Sequence, residues 1–307
     1  MNLTGILKKI ISGGSGAAGR NKARIGALLV TAAAGLFVIS EHEKDSPEYA
    51  FYKADGTGRL KRDVRIVYLS DLHEKEFGRD NRRLVSMIDD AGPDMILIGG
   101  DMVTAGDVPR TEVSLSLIKE LASRYRVYFG LGNHEQRMKE SVERYGEVWH
   151  RYETELASAG VRILDDRSVV TDEGLQITGL NLGKDQYGKV SPKGPEVHDL
   201  ERRTGPLDRN RFNVLLVHSP LFEKQYARLG ADLTLAGHFH GGTIRLPGRV
   251  GLMTPQYQFF SNRVVGEYVY KGMKLIISAG LGTHSVNIRL NDRPQVVVVD
   301  IKTAKKI

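Results

Sequence analysis

Along residues 64–159, short apolar runs alternate with segments whose apolar residues recur at helical spacing. The short runs predict buried strands, and the periodic segments predict amphipathic helices. The predicted strands are 65–70, 95–98 and 127–129. The predicted helices are 80–90, 113–121 and 138–159. Strands that alternate with helices indicate a mostly parallel sheet with crossover connections, in which ligands bind beyond the carboxyl ends of the strands.

The second half of the chain has a different pattern, in which short strand-like runs are separated by polar stretches. Residues 181–211 are expected to form a long loop, and residues 221–229 are expected to form a helix. We expect a second sheet that packs on the first, with the last two strands paired near the end of the chain. The predicted strands are 161–164, 167–171, 175–180, 214–217, 233–236, 264–270, 274–278 and 295–301.

An apolar run near the N-terminus has an intermediate length. Residues 25–39 are apolar except for Thr31, which gives 15 residues. A membrane-spanning helix needs about 20 apolar residues, whereas the core of a signal peptide takes about 7–15. No small-residue cleavage site follows the run, so we favour an uncleaved anchor. A cleaved signal and a buried N-terminal helix are the alternatives.

Charges around this run predict its orientation. Basic residues precede it and acidic residues follow it, which places the N-terminus in the cytoplasm and the rest of the chain outside the cell membrane. A cleaved signal would instead give a secreted protein. The expected organisation is a basic cytoplasmic tail at 1–24, a membrane anchor or signal segment at 25–40, a polar linker at 41–63 and a folded domain at 64–307.

Composition narrows the classes of function. The chain has a net charge of +7, but residues 1–40 carry five basic residues and no acid, and residues 302–307 carry three lysines. The rest of the chain is therefore close to neutral. A nucleic-acid-binding domain is expected to carry a basic face, so no nucleic acid partner is expected. The absence of cysteine excludes disulfides, iron–sulfur clusters and thiolate zinc sites.

Five short motifs with acidic, amide or imidazole side chains follow strand-like runs. Residues i and i+2 of an extended segment point to the same side, so Asp71 and His73 can converge on one ion. A single histidine at a strand end is more often structural, but the set of motifs indicates a metal centre. Carboxylate, amide and imidazole ligands without thiolate suit Mn, Fe, Co or Zn. The motifs are Asp71-Leu72-His73, Gly99-Gly100-Asp101, Gly132-Asn133-His134-Glu135, Val217-His218-Ser219-Pro220 and Gly237-His238-Phe239-His240-Gly241-Gly242.

In this order, the motifs resemble the calcineurin-like metallophosphoesterase superfamily over about residues 64 to 301. Three later features, Ala279-Gly280-Leu281-Gly282, Ile288-Arg289-Leu290 and Pro294, are similar to its membrane-associated bacterial branch. The resemblance implies an α/β fold, a four-layer α/β/β/α sandwich of two mixed sheets flanked by helices. It also implies that a hydroxide bridging two divalent metal ions attacks a phosphomonoester or phosphodiester. On this basis, 64–307 would be a metallophosphoesterase domain.

The resemblance assigns a role to each motif residue. Asp71, His73 and His240 would hold one metal ion, and Asn133, His218 and His238 would hold the other. Asp101 would bridge the two ions, which would be Mn, Fe or Zn. His134 would be catalytic, either donating a proton to the leaving group or stabilising the charged phosphoryl group. Glu135 would orient His134, or would be a solvated acid of the loop.

Some residues depart from the family pattern or have two interpretations. Phe239 stands where the family often has threonine, and Thr243 stands where it often has glutamine, so both could reshape the substrate pocket. His284 and Arg289 lie in a loop that could reach the site. Arg289 would bind a phosphate oxygen or form a structural ion pair.

The expected location suggests a class of substrate. An anchored domain lies close to lipid headgroups and envelope phosphates, so lipid-linked phosphoesters and pyrophosphates are candidate substrates. Two other functions are alternatives. One is a metal-binding scaffold of the same fold without catalysis, and the other is a nuclease of the same superfamily.

Overall fold

A computed structural model describes residues 17–56, 58–190, 192–283 and 286–303. The helices are α1 (Ala17–Lys44), α2 (Arg82–Ala91), α3 (Glu112–Ala122), α4 (Asn133–Glu140), α5 (Val142–Tyr145), α6 (Val148–Ser158), α7 (Val197–Thr204) and α8 (Glu223–Leu229). The strands are β1 (Glu48–Asp55), β2 (Val64–Leu69), β3 (Met95–Ile98), β4 (Arg126–Gly130), β5 (Arg162–Leu164), β6 (Arg167–Val170), β7 (Leu175–Leu180), β8 (Phe212–Val217), β9 (Leu233–Ala236), β10 (Arg245–Leu246), β11 (Val250–Met253), β12 (Phe259–Ser261), β13 (Gly266–Tyr270), β14 (Met273–Ile277) and β15 (Gln295–Lys302).

Two six-stranded mixed sheets dominate the part of the chain that the structure describes. The first has the order β1-β15-β2-β3-β4-β5, in which β2 to β5 run parallel and β15 is antiparallel to β2. The second has the order β13-β14-β9-β8-β7-β6, with a parallel centre and antiparallel edge strands. A small antiparallel sheet contains β10, β11 and β12.

Alternating side chains of the strands build three apolar layers. On β2, Val67 and Leu69 pack under α2, α3 and α6, while Ile66 and Tyr68 pack between the two sheets. A third cluster lies between the second sheet and its helices, and it includes Leu200 of α7. Period-2 alternation allows each central strand to fill two cores at once. The predicted four-layer α/β/β/α sandwich is therefore confirmed.

The stretch expected to be a linker contains a strand. Within 41–63, residues Glu48–Asp55 form β1, which pairs in parallel with β15 along its whole length. The prediction of a polar linker was wrong for these residues, because a short apolar and aromatic run at 49–52 lies between polar residues. As an edge strand, β1 gains its place through backbone pairing more than through a continuous apolar run.

Other differences involve tertiary pairing. The predicted helix at 138–159 is divided into α4, α5 and α6, and Gly146 has a left-handed φ of 56° at one break. The predicted loop at 181–211 contains α7. The last two large strands do not pair, because β14 lies between β13 and β9 while β15 lies between β1 and β2. The small sheet was not predicted.

Helix α1 has two distinct parts. Leu28, Leu29 and Phe37 are 64–69% exposed, so the apolar part is not the buried domain helix considered as an alternative. Residues Arg24–Lys44 are long and apolar enough to cross a membrane, by length and composition alone. The last turn is different, because Ser40 is buried against the folded domain.

Candidate metal centre

The motif residues lie where strands of both large sheets end. Asp71 and His73 follow β2, and Asp101 follows β3. The first residue of α4, just beyond β4, is Asn133. In the second sheet, His218 follows β8, and His238 and His240 follow β9. Because the two sheets pack face to face, the carboxyl ends of these strands meet at one edge of the sandwich.

The side chains converge on a small volume. The Nε2 atom of His218 lies 3.0 Å from Oδ2 of Asp101 and 3.7 Å from Oδ1 of Asp71. The Nε2 atom of His240 lies 3.5 Å from Oδ1 of Asp71 and 3.3 Å from Nε2 of His73. A distance of 3.8 Å joins Nε2 of His73 to Oδ2 of Asp101. Residues from distant parts of the sequence therefore share one centre.

These side chains form overlapping groups that could each hold a cation. In three triplets, the ligand atoms lie within 4.8 Å of one another. Two triplets match the grouping that the family resemblance implies, and the third brings His134 to the same distance. The triplets are Asp71, His73 and His240; Asp101, His218 and His238; and His73, Asp101 and His134. The assignment of individual ligands remains a prediction.

Five of the predicted ligands also have strained backbone conformations. Asp71, His73, Asp101, His238 and His240 all have φ between 45° and 68°, a region that residues with a Cβ atom rarely adopt. Such conformations are destabilising and persist where the surrounding fold imposes them, often at functional sites. The surrounding fold therefore imposes the positions of these side chains.

Two glycines allow the loops to approach closely. A Cβ atom on Gly100 would lie 2.0 Å from the backbone nitrogen of Gly132, and Gly100 also has a φ of 85°. A Cβ atom on Gly237 would lie 2.1 Å from Oδ2 of Asp71. Larger residues at these positions would separate the loops that carry the predicted ligands.

The contact between His218 and Asp101 fits a bound cation. Nδ1 of His218 lies 2.8 Å from the carbonyl oxygen of Gly99, so a neutral ring donates there and presents the Nε2 lone pair to the Asp101 carboxylate. Two acceptors at 3.0 Å need a positive charge between them. Burial would lower the pKa of His218, but Asp101 and Asp71 raise it to about 10. In the metal-free protein, a proton on Nε2 of His218 therefore occupies the position between His218 and Asp101 where a metal cation would fit.

The other buried histidines are suited to bind a cation in the neutral form. Burial, with a smaller effect of His218, holds the pKa of His238 well below its usual range. Burial also lowers the pKa of His240, whose Nδ1 lies 3.2 Å from the carbonyl oxygen of Gly282. That hydrogen bond leaves the Nε2 lone pair directed into the cluster. Hydrogen bonds of this kind fix the ring orientation of metal-binding histidines.

Asp101 and Asn133 complete a donor set without thiolate. Burial would raise the pKa of Asp101, but the imidazoles of His218, His134 and His73 hold it well below its usual range. The carboxylate is therefore ionised. The Oδ1 atom of Asn133 is buried and has no hydrogen-bond partner among the described residues. Such an oxygen is destabilising unless another group, such as a cation, satisfies it.

Glu135 organises the backbone below the centre. Its two carboxylate oxygens accept hydrogen bonds from the backbone N–H groups of Asp101, Met102, Val103 and Gly132, at 2.8–3.4 Å. It is fully buried, so it is not a solvated acid. These contacts hold the loops after β3 and β4 together, a role that differs from the predicted support of His134.

The catalytic candidate His134 has a defined orientation. Its Nδ1 atom accepts a hydrogen bond of 2.9 Å from the backbone N–H of Ala105. The proton of a neutral ring is therefore on Nε2. Its own backbone N–H donates to Oδ1 of Asp101 at 2.8 Å. His134 is thus positioned as a hydrogen-bond donor beside the predicted bridging carboxylate.

A cavity of about 410 Å³ opens over the centre. Its cationic lining includes Arg137 and Lys189, and the amine of Lys189 lies 2.7 Å from the hydroxyl of Tyr257. Phe239 and Thr243, the two departures from the family pattern, also line the cavity. Further lining residues are apolar or aromatic, namely Tyr187, Met253, Val286 and Ile288.

Several residues of the site were not predicted from the sequence. Arg137 follows His134 by three positions, so helical spacing could have placed both on one face. Tyr187 and Gln256 had no comparable signal. Tyr187 reaches the site from the stretch predicted as a loop, and Gln256 reaches it from the turn between β11 and β12 of the small sheet, which was not predicted. Gln256 is buried, and its amide nitrogen lies against Nε2 of His238.

Of the two interpretations of Arg289, the structure supports the structural one. Its side chain is 1% exposed, and its guanidinium donates to the carbonyl oxygens of Ala279 and Gly282 and contacts the Asp292 carboxylate. His284 lies outside the described residues.

Comparison with known proteins agrees with this geometry. The family model described as calcineurin-like phosphoesterase matches residues 64–242, which include all the predicted metal ligands. The chain belongs to the calcineurin-like phosphoesterase family. This phosphoesterase is 27% identical over 247 residues to the uncharacterized metallophosphoesterase YkoQ of Bacillus subtilis, covering 79% of this chain and 84% of YkoQ.

Two further relatives are informative. The phosphoesterase is 25% identical to the phosphodiesterase YaeI of Escherichia coli, covering 77% of this chain and 82% of YaeI. It is 27% identical to a zebrafish transmembrane protein with a metallophosphoesterase domain, covering 78% of this chain and 54% of that protein. Together with the family match, these relatives make the chain a metal-dependent phosphoric ester hydrolase.

Proposed function

We propose that this phosphoesterase hydrolyses its substrate with two divalent cations. Asp71, His73 and His240 would hold one ion, Asn133, His218 and His238 would hold the other, and Asp101 would lie between them. The observation that carries the proposal is the 3.0 Å approach of Nε2 of His218 to the Asp101 carboxylate. In the metal-free protein a proton on Nε2 joins these two groups, and a divalent cation would take its place.

The chemistry follows from the donor set and from the residues around it. When bound, two such cations activate a water molecule and neutralise charge on a phosphoryl group. His134, whose neutral ring carries its proton on Nε2, would donate a hydrogen bond to a phosphoryl oxygen. This favours charge stabilisation over proton donation, because the Ala105 N–H opposes a second proton on Nδ1.

Arg137 and Lys189 would bind the substrate rather than the cations. Both line the cavity over the centre, and Arg137 is exposed on the α4 face that also carries His134. A guanidinium can bind two phosphoryl oxygens at once. The cationic side of the cavity would therefore hold the phosphate, and the side with Met253, Val286 and Ile288 would hold an apolar group.

This division supports a lipid-linked phosphoester or pyrophosphate as the substrate. The amine of Lys44, at the end of α1, donates to the side-chain oxygen of Asn287 at 3.1 Å. The neighbouring residues Val286 and Ile288 line the cavity. If α1 crosses a membrane, the apolar wall of the cavity lies next to the point where the chain leaves the bilayer. Because the relative YaeI is named a phosphodiesterase, we favour a phosphodiester over a phosphomonoester as the substrate of this chain.

We further infer that α1 is an uncleaved anchor with the N-terminus in the cytoplasm. The 21 residues of Arg24–Lys44 span about 32 Å as a helix, which matches a hydrocarbon core of about 30 Å. Ser40 is buried against the folded domain, so cleavage near the end of the helix would remove a contact of the domain. The zebrafish relative is also named as a transmembrane protein.

The test uses the full chain in detergent or nanodiscs. After chelation and loading with Mn, Fe or Zn, hydrolysis of an aryl phosphodiester, an aryl phosphomonoester and a lipid pyrophosphate is measured. Asp101→Ala and His238→Ala should abolish hydrolysis, while His198→Ala, an exposed histidine of α7, should leave it unchanged. Equal activity of the chelated and loaded proteins would refute the proposal.

A further inference from the structure

The end of helix α1 is bound to the loop at 287–292. The hydroxyl of Ser40 accepts a hydrogen bond from the backbone N–H of Arg289 at 3.0 Å. The Oε2 atom of Glu43 accepts one from the backbone N–H of Asp292 at 3.0 Å. The amine of Lys44 donates to the side-chain and carbonyl oxygens of Asn287. Four hydrogen bonds from three residues of the last two turns thus fix this loop on the helix.

The loop at 287–292 is in turn linked to residues 279–282 through Arg289. One guanidinium nitrogen donates to the carbonyl oxygens of Ala279, Gly280 and Gly282, at 2.7–3.3 Å. The other donates to the carbonyl oxygen of Asp292 and faces its carboxylate. A planar guanidinium can satisfy several carbonyls in a fixed geometry, whereas a lysine cannot.

Residues 279–282 contact two of the predicted ligands. The carbonyl oxygen of Gly282, which accepts from Arg289, also accepts from Nδ1 of His240 at 3.2 Å. The backbone N–H of Gly282 donates to the carbonyl oxygen of Asp71 at 2.6 Å. Gly280 packs so closely that a Cβ atom there would lie 2.7 Å from Cβ of Asp71. This segment therefore sets the positions of both Asp71 and His240.

The second predicted ligand group has different support. His218 is oriented by the carbonyl oxygen of Gly99, and His238 contacts Gln256 of the small sheet. Neither of these contacts involves residues 279–282. The helix end is therefore connected to one half of the centre through a continuous set of hydrogen bonds. The imidazoles of the other half are oriented from other elements, although the backbone N–H of His238 also donates to the Asp71 carboxylate at 3.0–3.1 Å.

We propose that Arg289 is a positioning residue that links the end of α1 to the cation held by Asp71, His73 and His240. This inference rests on the proposed two-cation function. Affinity for that cation then depends on whether the end of α1 is seated on the loop at 287–292. Hydrogen-bond partners of metal-binding histidines typically change metal affinity by about 10–100-fold when they are altered.

The test compares two variants of the full chain in nanodiscs. The combined variant Ser40→Ala, Glu43→Ala and Lys44→Ala removes the side-chain contacts of the helix end but leaves Arg289 in place. Arg289→Lys keeps the charge but removes the planar fork. Arg124→Lys is the matched control, since Arg124 pairs with Asp89 and Glu120 near the opposite end of β4. Mn binding is measured by equilibrium dialysis, and electron paramagnetic resonance separates coupled Mn pairs from single ions.

The expected result is selective loss of one ion. The wild type and Arg124→Lys should bind two Mn ions and give a coupled spectrum. In both other variants, one ion should bind about 10–100-fold more weakly, so that a single-ion spectrum appears at limiting Mn. If Arg289→Lys does not fold, the variant at the helix end still tests the proposal, because it retains Arg289.

Two outcomes would refute different parts of this proposal. If the wild type binds two ions and the variant at the helix end binds both with unchanged affinity, or weakens both equally, the proposed role of Arg289 is wrong. If the wild type itself binds fewer than two ions, the proposed two-cation function is wrong, and the inference falls with it.

Discussion

The buried carboxylate of Glu135 offers a sharp test of how the centre is supported. Its two oxygens accept from four backbone N–H groups, two on each oxygen, in the loops after β3 and β4. Glu135→Gln keeps the shape of the side chain but replaces one carboxylate oxygen with an amide NH2 group. Two buried N–H groups then lose their acceptor and face another donor. Each such loss is destabilising by about 1–3 kcal/mol, so we expect about 2–6 kcal/mol in total.

Thermal unfolding measures this effect directly. Burial and the nearby Asp101 carboxylate raise the pKa of Glu135 to about 7, so removing the buried charge offsets part of this cost and places the expected value at the lower end of the range. The assay is run at pH 8, where the carboxylate is ionised. The protein is first chelated, because bound cations would add stability by mass action. For a domain of this size, the melting temperature should fall by about 2–4 °C for each kcal/mol.

The control is Glu143→Gln, at an exposed position on α5. This variant should melt within about 0.5 kcal/mol of the wild type. Glu135→Gln should also bind Mn more weakly, because Asp101 lies on one of the loops that Glu135 holds. A melting temperature equal to that of the control would refute the view that Glu135 organises the centre.

Three further predictions concern single residues. His134→Ala should lower kcat by about 10²–10⁴-fold while the bound metal, measured by mass spectrometry, stays constant; loss of metal would instead make His134 a ligand. Arg137→Gln should raise KM by about 10–100-fold through a lost charge-assisted contact, and an unchanged KM would remove Arg137 from the substrate site. Burial would raise the pKa of Glu173, but hydrogen bonds, first from Arg126, lower it to about 2. The ionised Glu173 therefore stabilises the fold above pH 4.5, and this stabilisation is lost as the pH falls towards 2. In Glu173→Gln, the free energy of unfolding measured in urea should depend less on pH in that window. An unchanged dependence on pH would contradict this role.

The central layers were predictable because their residues act locally and in repetition. Strands such as β2 and β3 are continuous apolar runs, since both of their faces are buried. The strand-end motifs were recognisable for a related reason. Each motif follows a strand, and parallel strands bring their carboxyl ends to one edge of the sheet.

The parts that sequence reasoning missed depend on distant partners. Strand β1 is defined by its pairing with β15, more than 240 positions away, and the apolar face that it turns to the core is short, with only Ala50, Tyr52 and Ala54. Gln256 reaches His238 from the small sheet, which has short strands and no periodic signal. Arg289 resembled a surface cation, because its carbonyl partners cannot be identified from side-chain types.

Side chains from the ends of strands in both sheets are proposed to bind a pair of cations. Anomalous diffraction from crystals of the Mn-loaded protein tests this proposal most directly. We expect two peaks about 3.5–4 Å apart, with the Asp101 carboxylate between them. Asp71 and His240 should lie beside one peak, and Asn133 and His218 beside the other. A single peak, or two peaks that Asp101 does not bridge, would contradict the proposal.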